Sequence, residues 1–150
     1  MKPEIYKQEG YRLVGAAFEV YNDRGYGMGE EIYQECLEIE LALREIPFQA
    51  KAELKCSYKG RELKKRYIPD LVIFGCLVAE LKAVMQLLPE HDAQLFNYMR
   101  IARLPVGYLI NFGHEGTLEW KRLILSDFID QHRQHVGIPN AIPDEPQHGI

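Results

Sequence analysis

Asp70, Glu80 and Lys82 are charged residues inside an otherwise mostly apolar run, "YIPDLVIFGCLVAELKAV", residues 67–84. Gly75 lies at its centre. A tight turn there makes residues equidistant from Gly75 face each other across an antiparallel pair, so Asp70 faces Glu80 and Val72 faces Val78. Side chains alternate between the faces of a sheet, and Asp70, Glu80 and Lys82 therefore share one face. Like charges directly opposed destabilise a strand pair. In a partly dry site two carboxylates cannot both ionise comfortably without a counter-charge. Lys82 supplies one positive charge, and a divalent cation would supply the rest. Two carboxylates with backbone oxygen and water are suitable hard ligands for Mg²⁺ or Mn²⁺. A structural ion pair at a strand end is the ordinary alternative for any single pair here. Three charges on one face of an apolar hairpin favour a working site, because perturbed charges cluster at such sites.

The rest of the chain must position that hairpin. "YRLVGAAFEVYN" (11–22) puts Leu13, Ala17, Val20 and Tyr21 at helical spacing, and "DRGYGMG" then breaks the chain. A second helix is predicted from Glu30 to Glu45, with Ile32, Cys36, Leu37, Ile39, Leu43 and Ile46 as its apolar stripe and Pro47 as its stop. Glu30 and Glu31 occupy its first turn, where the helix dipole favours carboxylates. From Phe48 to Tyr58 apolar and polar residues alternate, as in a half-buried strand. Lys59-Gly60 reads as a turn, and 63–73 and 77–84 as two further strands. Residues 89–102 read as a third helix with Pro89 in its first turn. "VGYLINFG" has the length of a buried strand, and "TLEWKRLIL" alternates like an edge strand. The predicted order is α-α-β-β-β-α-β-β, an α/β (α+β-like) mixed sheet flanked by helices rather than a doubly wound alternation. Residues 1–125 are expected to form a single domain. The tail, 126–150, is rich in Pro, His and Gln, and its last dozen residues are expected to be disordered.

Pro69-Asp70 followed by Glu80-Leu81-Lys82 resembles the P-D…(D/E)-x-K signature of the restriction-endonuclease-like nucleases. "GMGEEIY" contains Gly27-x-x-Glu30-x-x-Tyr33, which resembles the name-giving motif of the GxxExxY family, a branch of the same superfamily. "HDAQLFNYM" contains Gln94-x-x-x-Tyr98, which resembles the helix motif of the RecB-like exonuclease branch. The likeness runs over residues 10–125 and holds at the Asp, Glu, Lys, Gln and Tyr positions. The run Gly25–Gly29 is slightly richer in glycine than the pattern.

The resemblance implies a PD-(D/E)xK core and metal-dependent hydrolysis of a phosphodiester, DNA being the first expectation. Asp70, Glu80, Lys82 and Gln94 would be catalytic, and Asp70, Glu80 and Glu30 would hold Mg²⁺ or Mn²⁺. Lys82 would orient or polarise the attacking water and offset charge in the transition state. On residue type alone Glu30 reads as a helix-dipole carboxylate, and Tyr33 as core or as a buttress for Glu30. Tyr98 lies one turn after Gln94 and would help hold the substrate strand or water. His91 lies one turn before Gln94 and reads as a phosphate donor or as a helix-start histidine. "KCSYKGRELKKR" (55–66) carries six cations against Glu62. Its Lys64, Lys65 and Arg66 would track phosphates, with Tyr58 and Tyr67 available for stacking; a solvated hairpin tip is the alternative.

The formal net charge of −4 counts against a polycation that captures nucleic acid over its whole surface. The three cysteines form no C-x-x-C pair, so neither a disulfide framework nor a zinc site is indicated. No apolar run is long enough to cross a bilayer, and a cytoplasmic protein is the expectation. Many small nucleases of this fold work as dimers, so a homodimer is compatible with the resemblance. A non-catalytic module on a nuclease scaffold, binding nucleic acid or protein, is the alternative function.

Overall fold

The computed structural model describes residues 4–129. Its order is α1 (Lys7–Arg24), α2 (Glu30–Leu43), β1 (Phe48–Ala50), β2 (Ser57–Tyr58), β3 (Arg61–Glu62), β4 (Leu71–Ile73), β5 (Leu77–Lys82), α3 (Pro89–Ala102), β6 (Val106–Asn111), β7 (Glu119–Ile124) and a 3₁₀ turn, Ser126–Phe128. Five strands form one sheet in the order β1-β4-β5-β6-β7, while β2 and β3 make a separate small hairpin. β5 and β6 run parallel, joined through α3, and the other neighbours are antiparallel. This is the mixed sheet with flanking helices that the residue pattern predicts.

Sheet alternation divides the core in two. Leu71, Ile73, Leu77, Ala79, Leu81, Tyr108 and Ile110 meet the buried stripes of α1 and α2. Val72, Val78 and Leu109 face the other way and meet Leu95, Met99 and Ala102 of α3. Gly107 lets α3 sit low on that second face: a Cβ there would come within 2.6 Å of Met99 Sδ and 3.0 Å of Leu95. The β4–β5 turn places Phe74 (φ 56) and Gly75 (φ 66) in the left-handed region, and Cys76 N–H donates to Ile73 O at 3.0 Å. Three residues, Phe74, Gly75 and Cys76, separate the paired Ile73 and Leu77, and the two left-handed ones suit the right-handed twist of the strands. Leu71 consequently pairs with Ala79 and Val72 with Val78, the register centred on Gly75.

Several boundaries differ from the expectation. α1 begins earlier, at Lys7. α2 ends at Leu43, before Pro47 can act: Glu45 takes a left-handed conformation, its N–H bonds Ala42 O, and Ile46 N–H bonds Leu41 O. That double bond is a Schellman cap, with Glu45 in the position glycine usually fills. The predicted strand 48–58 is interrupted because Lys51 has φ 54, which turns the chain out of the ladder after Ala50. Residues 63–73 are likewise broken: only Leu71–Ile73 join the sheet, with Leu54 and Tyr67 making an isolated bridge. β5 ends at Lys82 rather than Val84. β7 is an edge strand, as its alternation suggests. The tail expectation lies largely outside the described residues.

Candidate active site

Asp70 and Glu80 are both buried, at 5% and 4% exposure. Each locks the other's strand. Asp70 N–H donates to Glu80 Oε1 at 2.8 Å, and Leu81 N–H donates to Asp70 Oδ2 at 2.7 Å. The hairpin backbone thus fixes both carboxyl groups, and the turn at Gly75 fixes the hairpin. Burial first, and the Asp70 charge second, push the Glu80 carboxyl up to about 8. Without an added cation this pair therefore retains a proton near neutrality.

Lys82 lies on the same face, and its ammonium donates to Gln94 Oε1 on α3 at 2.7 Å. Gln94 in turn bonds Tyr98, whose hydroxyl is raised by burial and then by the charges of Glu80 and Asp70. Tyr67, just before the Asp70 strand, meets Tyr98 edge-on at 5.6 Å. Glu30 lies at the start of α2. Its carboxyl is raised by burial and by Asp70, while Lys82 and Lys51 pull it down. The structure therefore brings Asp70, Glu80, Lys82, Glu30, Gln94 and Tyr98 together.

Other residues singled out in the sequence are placed elsewhere or committed otherwise. His91 Nδ1 accepts the Leu88 N–H at 2.9 Å and so caps the start of α3. Lys64 and Lys65 are exposed between β3 and β4. Arg66 pairs with Glu62 at 3.1 Å and donates to Leu63 O at 3.0 Å. Arg66 is thus committed to Glu62 and Leu63 rather than to Asp70 or Glu80. Tyr33 is fully buried and stacks on Phe112 at 4.7 Å. Its hydroxyl donates to Gly25 O and accepts Met28 N–H, so it also ties down the glycine loop that leads into Glu30.

Three participants were not evident from the sequence. Lys51 Nζ contacts Asp70 Oδ1, and Lys51 N–H donates to Asp70 O at 3.1 Å. Burial opposes the Lys51 charge, but the bond to Asp70 and the charges of Asp70, Glu80 and Glu30 outweigh it and raise its pKa. Gln34 donates to Asp70 O at 3.1 Å and to Glu38 at 2.8 Å. It lies four residues after Glu30, hence on the same helical face, a spacing that could have found it. Asn111 is fully buried opposite Lys82. It accepts Val84 and Gly113 N–H, both at 3.0 Å, and donates to Val84 O and Glu119 Oε1, both at 2.9 Å, which pins the segment between Lys82 and α3.

The donor set suits a hard cation. Asp70, Glu80 and Glu30 offer only oxygen, and burial together with the Asp70 charge raises the Glu80 carboxyl. Among the described residues no group of three or more His, Cys, Asp or Glu is placed to hold a metal ion, so Glu30 does not complete a three-carboxylate site with Asp70 and Glu80. Mg²⁺ does not need one, because it commonly takes one or two carboxylates and completes its shell with water and phosphate oxygens.

A family model of the PD-(D/E)XK nuclease superfamily matches residues 7–123. The chain belongs to the PD-(D/E)XK nuclease superfamily. Among solved structures, one described as the crystal structure of SSO0001 is similar, with a TM-score of 0.52 and 18% identity over 91% of this chain and 71% of that one. At that identity the likeness concerns the fold. No curated protein matches the chain. The matched span contains Asp70, Glu80 and Lys82.

Proposed function

We propose that this protein is a Mg²⁺- or Mn²⁺-dependent nuclease hydrolysing phosphodiester bonds, DNA being the first expected substrate, and that it belongs to the GxxExxY branch. The observation that carries the reading is the mutual locking of two buried carboxyls, Asp70 and Glu80, on the face that Lys82 shares. Asp70 and Glu80, with Glu30 nearby, would hold the metal. Bound there, it would supply Lewis acidity and a more acidic water. Lys82, held by Gln94, would present an ammonium to the attacking water and to charge developing on the phosphorus oxygens. Tyr98 and Tyr67 offer aromatic surface beside the site for an unstacked base. Lys64, Lys65 and Arg66 would meet phosphates farther along the strand. We place the nuclease unit in residues 1–125 and the protein in the cytoplasm; no described helix is long and apolar enough to cross a membrane.

Labelled single- and double-stranded DNA and RNA, incubated with Mg²⁺ or Mn²⁺, test the reading. Metal-dependent cleavage by the wild type and its loss in Asp70→Ala are expected. Absence of cleavage on every substrate, or equal cleavage by the variant, would reject it. A second reading is a non-catalytic module that binds nucleic acid or protein. The ammonium already seated on Asp70 favours it, and Mn²⁺ titration separates the two, since the module predicts no site-dependent binding.

A further inference from the structure

Lys51 is the charged neighbour of the site that the nuclease signature does not contain. Its placement follows from register. Gln49 pairs with Val72 and Ala50 with Leu71, so one step further puts Lys51 opposite Asp70, a step that the Lys51 N–H bond to Asp70 O completes. Asp70 in turn faces Glu80 across the next pair. Three adjacent strands therefore set one cation and two carboxylates in a row on a single face. Phe48 and Ala50 point to the opposite face and pack against the α1/α2 core, while Lys51 Nζ meets Asp70. The left-handed conformation at Lys51 ends β1 there, a placement that an L-residue seldom adopts.

We propose that Lys51 is a positioning residue that serves as the resident counter-ion of Asp70 and gives way to the divalent cation, so that it sets metal affinity. This rests on the reading of Asp70 and Glu80 as metal ligands. Leu81 N–H already holds Asp70 Oδ2, and Lys51 Nζ sits on Oδ1. A metal approaching Asp70 must displace that ammonium from the oxygen or share it against charge repulsion. In the metal-free protein the same ammonium is the cation bonded directly to the buried pair, since Lys82 is held by Gln94. Lys51 therefore stabilises the empty site and opposes the loaded one. A purely structural lysine would support both.

The test is Mn²⁺ titration by calorimetry, with melting temperature, on the full chain and its Lys51 variants. The Lys51 side chain is 53% exposed, so Lys51→Met is compatible with folding. Lys51→Met is expected to melt about 3 °C lower without metal and to bind Mn²⁺ about three- to tenfold more tightly, the scale of a partly exposed ion pair. Lys51→Arg keeps the charge and is expected to bind within about twofold of the wild type. Binding by Lys51→Met that is unchanged or weaker would overturn the proposal, as would absence of Mn²⁺ binding in both wild type and Lys51→Met. Tight Mn²⁺ binding without cleavage of any nucleic acid would reject the nuclease reading while leaving the role of Lys51 intact.

Discussion

At the scale of single residues, Glu80 dominates. Its carboxyl ionises at an ordinary 4.5 in the unfolded chain but is pushed up to about 8 in the fold. Between those values the folded state holds a proton that the unfolded state has lost. The stability of the metal-free protein must therefore fall as pH rises from 4.5 towards 8 and level off above it. Glu80→Gln removes this slope, so in metal-free denaturant melts the variant should gain most over the wild type near pH 8 and least near pH 5. Metal binding must expel the same proton, so Mn²⁺ affinity should climb with pH by up to about tenfold per unit until about pH 8. A flat affinity profile from pH 6 to 8 would contradict the assignment of Glu80 as a ligand. Lys82→Met should lower kcat by about 10²–10⁴-fold if its ammonium serves the reacting water. Gln94→Ala should act less strongly and through the same step, because Gln94 touches Lys82 rather than the carboxylates. The facing of Asp70 and Glu80 was legible because a three-residue turn centred on Gly75 fixes register over a short distance. Lys51 was not legible. It reaches Asp70 across the connection between β1 and β4, whose length leaves the register open to any pairing, and its side of an alternating strand reads simply as solvent.

At the scale of elements, the site depends on α3 holding its place over the sheet and on the segment from Ala83 to Leu88 that leads into it. Asn111 binds that segment with bonds to both backbone groups of Val84, while Glu119 accepts Leu87 N–H at 3.0 Å. Replacing Asn111 by Ala strands several buried polar groups at once, and urea unfolding should show a loss of about 3 kcal/mol. Gly113→Ala presses on the same segment from beneath. Its Cβ would lie 2.5 Å from Ala83 and Val84 backbone atoms, which cannot rotate away. Overpacking of this kind costs about 1–3 kcal/mol, and a loss below that range would show that the segment yields. Element types were readable from period and punctuation, and α3 from its Pro89 start. The strand break at Lys51 was not, because alternation continues through it while the backbone turns away, nor was the break between Leu63 and Tyr67, where three consecutive cations fit a solvated strand as well as a loop. The early end of α2 was hidden for a similar reason: Glu45 adopts a left-handed cap that composition assigns to glycine.

At the scale of the whole molecule, the net charge of −4 places the burden of binding nucleic acid on local cations. If Lys64, Lys65 and Arg66 each contact a phosphate, their joint replacement by Ala should reduce the slope of log affinity against log salt by about 2–3, measured by fluorescence anisotropy in Ca²⁺. An unchanged slope would remove the β2–β3 hairpin region from the binding surface. The sheet has two faces with different tasks. One is closed by α1 and α2 and is apolar throughout its centre; the other carries α3 at one end and leaves the charged row at the other. The fold thus supplies the dry, rigid backing that raises the Glu80 carboxyl, and the site lies where the start of α2 and the Gln94–Tyr98 face of α3 border the charged row. Anomalous diffraction from crystals soaked in Mn²⁺ tests this account most directly. It predicts a manganese peak in contact with the Asp70 and Glu80 carboxylates and Lys51 Nζ moved off Asp70; a site without manganese, with Lys51 still bonded to Asp70, would contradict it.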